Sequence, residues 1–127
     1  MQLFDLILAV KIVVTALGVV VPILVLPPRI SAPLLDLAPP QMRYMRLYAL
    51  ALAALLVGYA SAFSWWRGPE FPQGIAIMAL VSNGGAALLL LVDGHVRLAR
   101  FGAPFFGAIA LALAASLAAP EWAMQPL

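Results

Sequence analysis

The chain has 127 residues, 65% of them hydrophobic and 9% charged, with a formal net charge of +2. That composition leaves no room for a soluble domain of ordinary size beside the apolar segments, and a charge so small and so divided gives no basis for a nucleic-acid partner. Cysteine is absent, which excludes disulfides, thiolate metal sites, iron–sulfur clusters and cysteine nucleophiles together.

Four apolar runs, 3–26, 44–66, 72–92 and 101–119, take up almost all of the sequence. A helix needs about 20 apolar residues to cross a hydrocarbon core of roughly 30 Å. Lipid offers the backbone no hydrogen-bond partners, and barrel strands would alternate polar with apolar residues, which none of these runs does. The expectation is one all-α membrane domain over 1–127, a polytopic antiparallel bundle of four transmembrane helices.

The first run has no basic stretch before it and is too long for the apolar region of a signal peptide, so it reads as a retained helix. Pro22, beside Gly18, marks an expected kink, and Pro27-Pro28 end the run. Lys11 stands about a third of the way along, where a charge costs about 2.5–3.5 kcal/mol on insertion scales. A helical wheel puts Lys11 on one face with Thr15, Gly18 and Pro22, and rotates Asp5 about 120° away. Two readings stay open. Lys11 faces the bundle, as a site for an anion or polar headgroup or as a lysine that moves protons, or it snorkels to the nearer interface.

The connector 27–43 mixes Ile30, Leu34, Leu35 and Leu37 with Asp36 and several prolines. It is expected to lie along the cytoplasmic interface with a helical turn over 33–38. Arg29, Arg43 and Arg46 in and beside it, and Arg97 and Arg100 in the third connector, outnumber Arg67, which neighbours Glu70 in the second. Positive charge favours the cytoplasm, so both termini are expected outside, with Trp65, Trp66 and Trp122 at the outer interface. The same five arginines either only set topology or also hold anionic lipid headgroups. A single lysine against six arginines, with abundant Ala, Leu and Pro, points to a GC-rich bacterial coding sequence and hence to a bacterial inner membrane.

Along the second and third runs, Tyr59 and Ser61 come at a depth comparable with Lys11, and Asn83 sits mid-run between Ser82 and Gly84-Gly85. Asn83 reads either as an interhelical hydrogen bond or as a ligand contact. If Lys11, Tyr59, Ser61 and Asn83 converge, they form a polar pocket in the outer-to-middle part of the bundle, with Thr15 and Ser82 as neighbouring candidates. Small residues recur at helical spacing at Ala51, Ala54, Gly58 and Ser61, at Ala76, Ala79, Asn83 and Ala86, and at Ala103, Gly107, Ala110 and Ala114, as close helix packing requires. His95, the one histidine, reads as a solvated loop residue, with ligation of a pigment or metal as the other reading; one histidine cannot supply a bis-histidine haem.

No nucleophile–base pair, carboxylate dyad, phosphate loop or metal-ligand cluster is present, so no catalytic residue is assigned. Small multidrug exporters share this length and helix number, but their pattern has an acidic residue in the first helix where this chain has Lys11, and a lysine there repels organic cations. The proline-terminated first run, the Met42-Arg43-Tyr44-Met45-Arg46-Leu47-Tyr48 lead into the second and the Ser82-Asn83-Gly84-Gly85 centre of the third resemble DoxX-like small bacterial membrane proteins. That resemblance implies a four-helix membrane fold and a functionally mixed group that includes subunits linked to quinone-dependent oxidoreductases. The expected function is an accessory or stabilising subunit of a larger membrane complex. The alternative is a small homo-oligomeric transporter or binder of an anionic or zwitterionic amphiphile, lipid or quinone centred on Lys11 and Asn83. No cofactor is evident beyond bound lipid, quinone or pigment.

Overall fold

The computed structural model describes all residues except 36–38, 67, 93–96 and 127, and leaves aside the side chains of 34, 35, 39, 40 and 97–100 as well. Every named element among the described residues is a helix.

Helix α1, Leu3–Val25, begins where the Asp5 carboxylate accepts the Gln2 backbone N–H at 2.8 Å, a reciprocal cap that satisfies one of the orphan donors of the first turn. Its segment Ala16–Val20 is wound as a π-helix, and the Val21 N–H reaches back five residues to the Ala16 carbonyl. The cause is Pro22: its ring would collide with the carbonyl four residues earlier, at Gly18, and widening the turn ahead of it relieves that clash. Leu26 leaves the helix in extended conformation (φ −71°, ψ 142°), as the residue before a proline must.

Helix α2, Pro28–Leu35, starts on a proline whose missing N–H would have been unpaired there anyway. Ser31 anchors its first turn, with both its N–H and its hydroxyl donating to the Pro27 carbonyl. The helix is thus earlier and longer than the turn expected over 33–38, of which 36–38 lie outside the described residues.

Helix α3, Pro39–Ala60, starts before the run 44–66 and stops short of its end. Beyond Ala60 the backbone tightens, with the Ala62 and Phe63 N–H groups reaching only three residues back, to Tyr59 and Ala60. Ser64 is drawn instead onto Asp5, its N–H at 2.9 Å and its hydroxyl at 2.6 Å. Two charge-assisted bonds to a buried carboxylate outweigh the helical turn they replace. Helices α4, Gln73–Val92, and α5, Arg97–Ala118, follow, then a break at Ala119 and the single turn α6, Pro120–Ala123.

Among the described residues, three helices are long and apolar enough to cross a membrane: Leu3–Val25, Gln73–Val92 and, within α5, Phe101–Ala118. Helix α3 does not qualify on the same measure, because Arg43 and Arg46 occupy its early turns and it stops at Ala60. The distribution of side chains points the same way. Leu17, Val25, Val57, Val81, Leu91 and Leu111 are exposed, while Asp5, Lys11, Thr15, Asn83 and Ser116 are buried. Such apolar flanks are not left to water, and the chain reads as a membrane protein.

Hydrogen bonds tie the ends of the helices together. The Leu3 N–H donates to the Gln125 carbonyl, Ser64 meets Asp5, and Arg46 Nη2 donates to the Leu26 carbonyl at 3.3 Å. The start of α1 therefore meets the segments that follow α3 and α5, and its last turn meets the early turns of α3. The Phe4 and Phe71 rings pack edge to face at 5.1 Å, which brings the approach to α4 to the same end.

Helices α4 and α5 pack most closely. A Cβ placed on Gly84 would stand 4.0 Å from Ala110 Cβ, and one on Gly107 would stand 4.0 Å from Ala87 Cβ, so small residues from both sides set the approach. Of the stripe expected on α3, Gly58 makes a comparable approach, a Cβ there standing 3.5 Å from Met78 Cε on α4, and the other three residues do not. Ala51, Ala54 and Ser61 are exposed, and the buried face is Ala49, Leu52, Leu56 and Tyr59. Leu52, Leu56 and Tyr59 bury more apolar surface against α1 than Ala51 or Ala54 would, so they turn inward beside Ala49.

Candidate functional site

Lys11 is 2% exposed, and its Nζ lies 4.4 Å from the centroid of the Phe106 ring on α5. Among the described residues no carboxylate pairs with it. A cation–π contact contributes about 0.5–2 kcal/mol, against an insertion cost of about 2.5–3.5 kcal/mol for a charged side chain in the bilayer. The ring offsets part of that cost and leaves a deficit that an anionic or strongly polar group would remove.

One turn further along α1, Thr15 is 1% exposed and its Oγ1 is buried without a hydrogen-bond partner. Three serine hydroxyls behave differently: Ser31, Ser61 and Ser116 each donate back to a carbonyl one turn earlier, Ser116 to Ala112 at 2.8 Å. A buried hydroxyl left unpaired costs about 1–3 kcal/mol. Thr15 is therefore an open position for a polar atom from outside the chain.

A cleft with a volume of about 350 Å³ opens beside it. Thr15, Gly18 and Val19 of α1 form one wall, and Phe101, Gly102 and Phe106 of α5 form the other. The π-turn positions the first wall. It widens the helix at Gly18, where nothing stands within 4 Å of the place a Cβ would occupy. The Phe106 ring thus borders the cleft and also carries Lys11, so the cleft and the buried ammonium share a partition. An apolar slot lined by aromatic rings, with one unpaired hydroxyl and a buried cation at its side, is equipped to hold an amphiphile.

The other expected residues are distributed differently. Asn83 is fully buried; its Nδ2 donates to the Ala79 carbonyl of its own helix at 2.7 Å, and its Oδ1 has no partner. Tyr59 is 1% exposed with its hydroxyl close to Ser82 but in no hydrogen bond of ordinary geometry, while Ser82 is half-buried. Ser61 faces outward and donates to the Gly58 carbonyl at 2.7 Å, apart from the interior groups. Arg29 and Arg43 are exposed and Arg46 is half-buried. His95 lies outside the described residues, as do the side chains of Arg97 and Arg100. No group of three or more metal-ligating side chains occurs among the described residues.

Sequence reading missed Phe106, Asp5 and Ser64. The spacing of Gln2 and Asp5 at the head of an apolar run is a capping signal that marks Asp5 as a helix start. Phe106 and Ser64 act across the fold, and no local pattern announces them. In comparisons with known proteins, no protein-family model, no curated protein and no solved structure matches this chain.

Proposed function

We propose that this is a non-catalytic integral membrane protein that binds an amphiphile with an anionic or zwitterionic headgroup in the cleft between α1 and α5. The observation that carries the proposal is the buried Lys11 ammonium, held among the described residues by the Phe106 ring, one turn from the Thr15 hydroxyl that none of them pairs and beside an apolar cleft. The headgroup reaches Lys11 and Thr15, and the chain lies against Phe101 and Phe106. Lipids and quinones fall within this class, and carriage of such a molecule across the bilayer is the transport form of the same reading.

The architecture we propose with it is an antiparallel bundle of four membrane-crossing helices in a bacterial inner membrane, with both termini outside. The bonds from Leu3 to Gln125 and from Ser64 to Asp5 support an even number of crossings, because they bring three segment ends to one side. The tryptophans Trp65, Trp66 and Trp122 gather at that side, as an interfacial belt does. The likeness to DoxX-like proteins is in keeping with this arrangement.

The test uses oleate as an anionic single-chain probe and oleyl alcohol as its uncharged counterpart, with the full chain purified in mild detergent and read by native mass spectrometry. Wild type retains oleate over the alcohol. Lys11→Met lowers oleate retention at least tenfold and Thr15→Val lowers it several-fold, both at unchanged helical content. Equal retention by Lys11→Met and wild type overturns the proposal.

A second reading has its own observation: the small residues Ala51 and Ala54 of α3 are exposed, covered by no helix among the described residues. They would fit a neighbouring helix, from another subunit of a larger complex or from a second copy. The same mass measurement on protein at native expression separates these outcomes by the mass of the intact particle.

A further inference from the structure

We infer that a second site, at the end of the molecule where α1 gives way to α2, holds the phosphate of an acidic phospholipid between Arg43 and Arg46. A groove with a volume of about 620 Å³ lies there, walled by Leu24, Pro28, Arg43, Arg46, Leu47 and Leu50. That size is ordinary for a ligand cleft, which spans about 300–1,000 Å³.

The two arginines stand three residues apart on α3 and therefore share a face. Arg46 is half-buried and held in one orientation by its bond from Nη2 to the Leu26 carbonyl, which is free to accept because the helix has already ended at Val25. Its Nε is buried and has no hydrogen-bond partner among the described residues. A guanidinium with one edge fixed and an unpaired donor beside it is set up for an oxyanion, since phosphate and guanidinium match in a two-point fork. Arg43 brings a second cation to the same groove and is exposed. Without an anion, two like charges would face each other here at a cost.

The rest of the wall decides which phosphate. Leu47 and Leu50 are 60% and 59% exposed, and with Leu24 they continue the groove as an apolar surface. A soluble phosphate ion would leave these leucines uncovered, whereas the acyl chains of a phospholipid would cover them. Helix α2 begins at the rim, with Pro28 in the wall and Arg29 and Ile30 exposed. A short segment that carries a cation next to exposed apolar residues suits the headgroup boundary of a membrane. This site is independent of Lys11.

The experiment delipidates the full chain in mild detergent, adds phosphatidylglycerol and phosphatidylcholine in equal amounts, and counts each adduct by native mass spectrometry. Wild type takes phosphatidylglycerol in preference by at least fivefold. Arg43→Gln, at an exposed position, reduces that preference at least twofold, and the Arg43→Gln/Arg46→Gln pair reduces it further. Arg46→Lys keeps the charge but not the fork and falls between. Arg43→Gln has the same proportional effect in a Lys11→Met background, which separates this site from the α1–α5 cleft. Equal binding of the two lipids by wild type, or an undiminished preference in Arg43→Gln at native helical content, overturns the inference. So does displacement of phosphatidylglycerol by millimolar inorganic phosphate, which would make the ligand a soluble anion.

Discussion

A lysine and an aspartate, both buried near the same end of α1, have opposite relations to stability. Asp5 accepts from the Gln2 N–H, the Ser64 N–H and the Ser64 hydroxyl, so its charge is matched by donors wherever its oxygens point. Asp5→Ala strands those donors at the junction of α1 and the turn after α3. We expect a loss of about 2–4 kcal/mol, given that bonds to a charged group contribute about 1.5–3 kcal/mol each. Asp5→Asn loses less, since its amide oxygen still accepts from Ser64. Lys11 has no such set. Replacing it with methionine keeps the volume, removes the uncompensated charge and should raise the unfolding midpoint of delipidated protein, by the equivalent of about 1–3 kcal/mol. Thermal unfolding followed by circular dichroism in detergent reads both, and a destabilised Lys11→Met would mean the lysine serves the fold. The sequence exposed Lys11 as an anomaly because a charge inside an apolar run is visible without coordinates. It could not show that Phe106 meets it, since 95 residues separate them and only the packing of α5 on α1 brings the ring there.

At the level of elements, the helices were legible from apolar run length, and their ends were less so. Run length measures which residues tolerate lipid, but the ends of α3 follow from bonds that the run does not contain. Prolines 39 and 40 carry its start ahead of residue 44, and the pull of Asp5 on Ser64 stops it at Ala60. The contact of α4 with α5 was legible in part: Gly107 and Ala110 belong to the stripe expected on α5, but their partners Ala87 and Gly84 lie outside the one expected on α4. It yields a sharp test at Gly107. Alanine there meets Ala87 Cβ at 4.0 Å, an ordinary contact, so Gly107→Ala should change stability by less than about 1 kcal/mol. Gly107→Leu must separate the helices and should cost about 1–3 kcal/mol or more. If leucine were tolerated as well as alanine under the same thermal assay, the close approach of α4 and α5 would be wrong. On α3, Ala51, Ala54 and the following Ser61 look alike in sequence yet face outward. Periodicity locates a stripe; which neighbour covers it depends on the other helices.

The whole molecule turns on how many times the chain crosses the bilayer. Among the described residues three helices qualify by length and apolarity, and an odd number would put the start of α1 and the segment after α5 on opposite sides. The bond from the Leu3 N–H to the Gln125 carbonyl puts them side by side. Both conditions hold if α3 also crosses, with Arg43 and Arg46 at its headgroup end and their cost relieved by the interface and by lipid phosphate. The absence of cysteine makes this directly measurable, because each introduced thiol is the only one in the chain. Gln2→Cys and Gln125→Cys should both react with a membrane-impermeant maleimide added to intact cells. Arg29→Cys should react only after the membrane is opened, since Arg29 lies at the other end of α1. Opposite labelling of Gln2→Cys and Gln125→Cys would leave α3 lying along the surface and remove the four-crossing arrangement. Uniform labelling of all three from outside would instead reject the placement of the arginine-bearing connector in the cytoplasm.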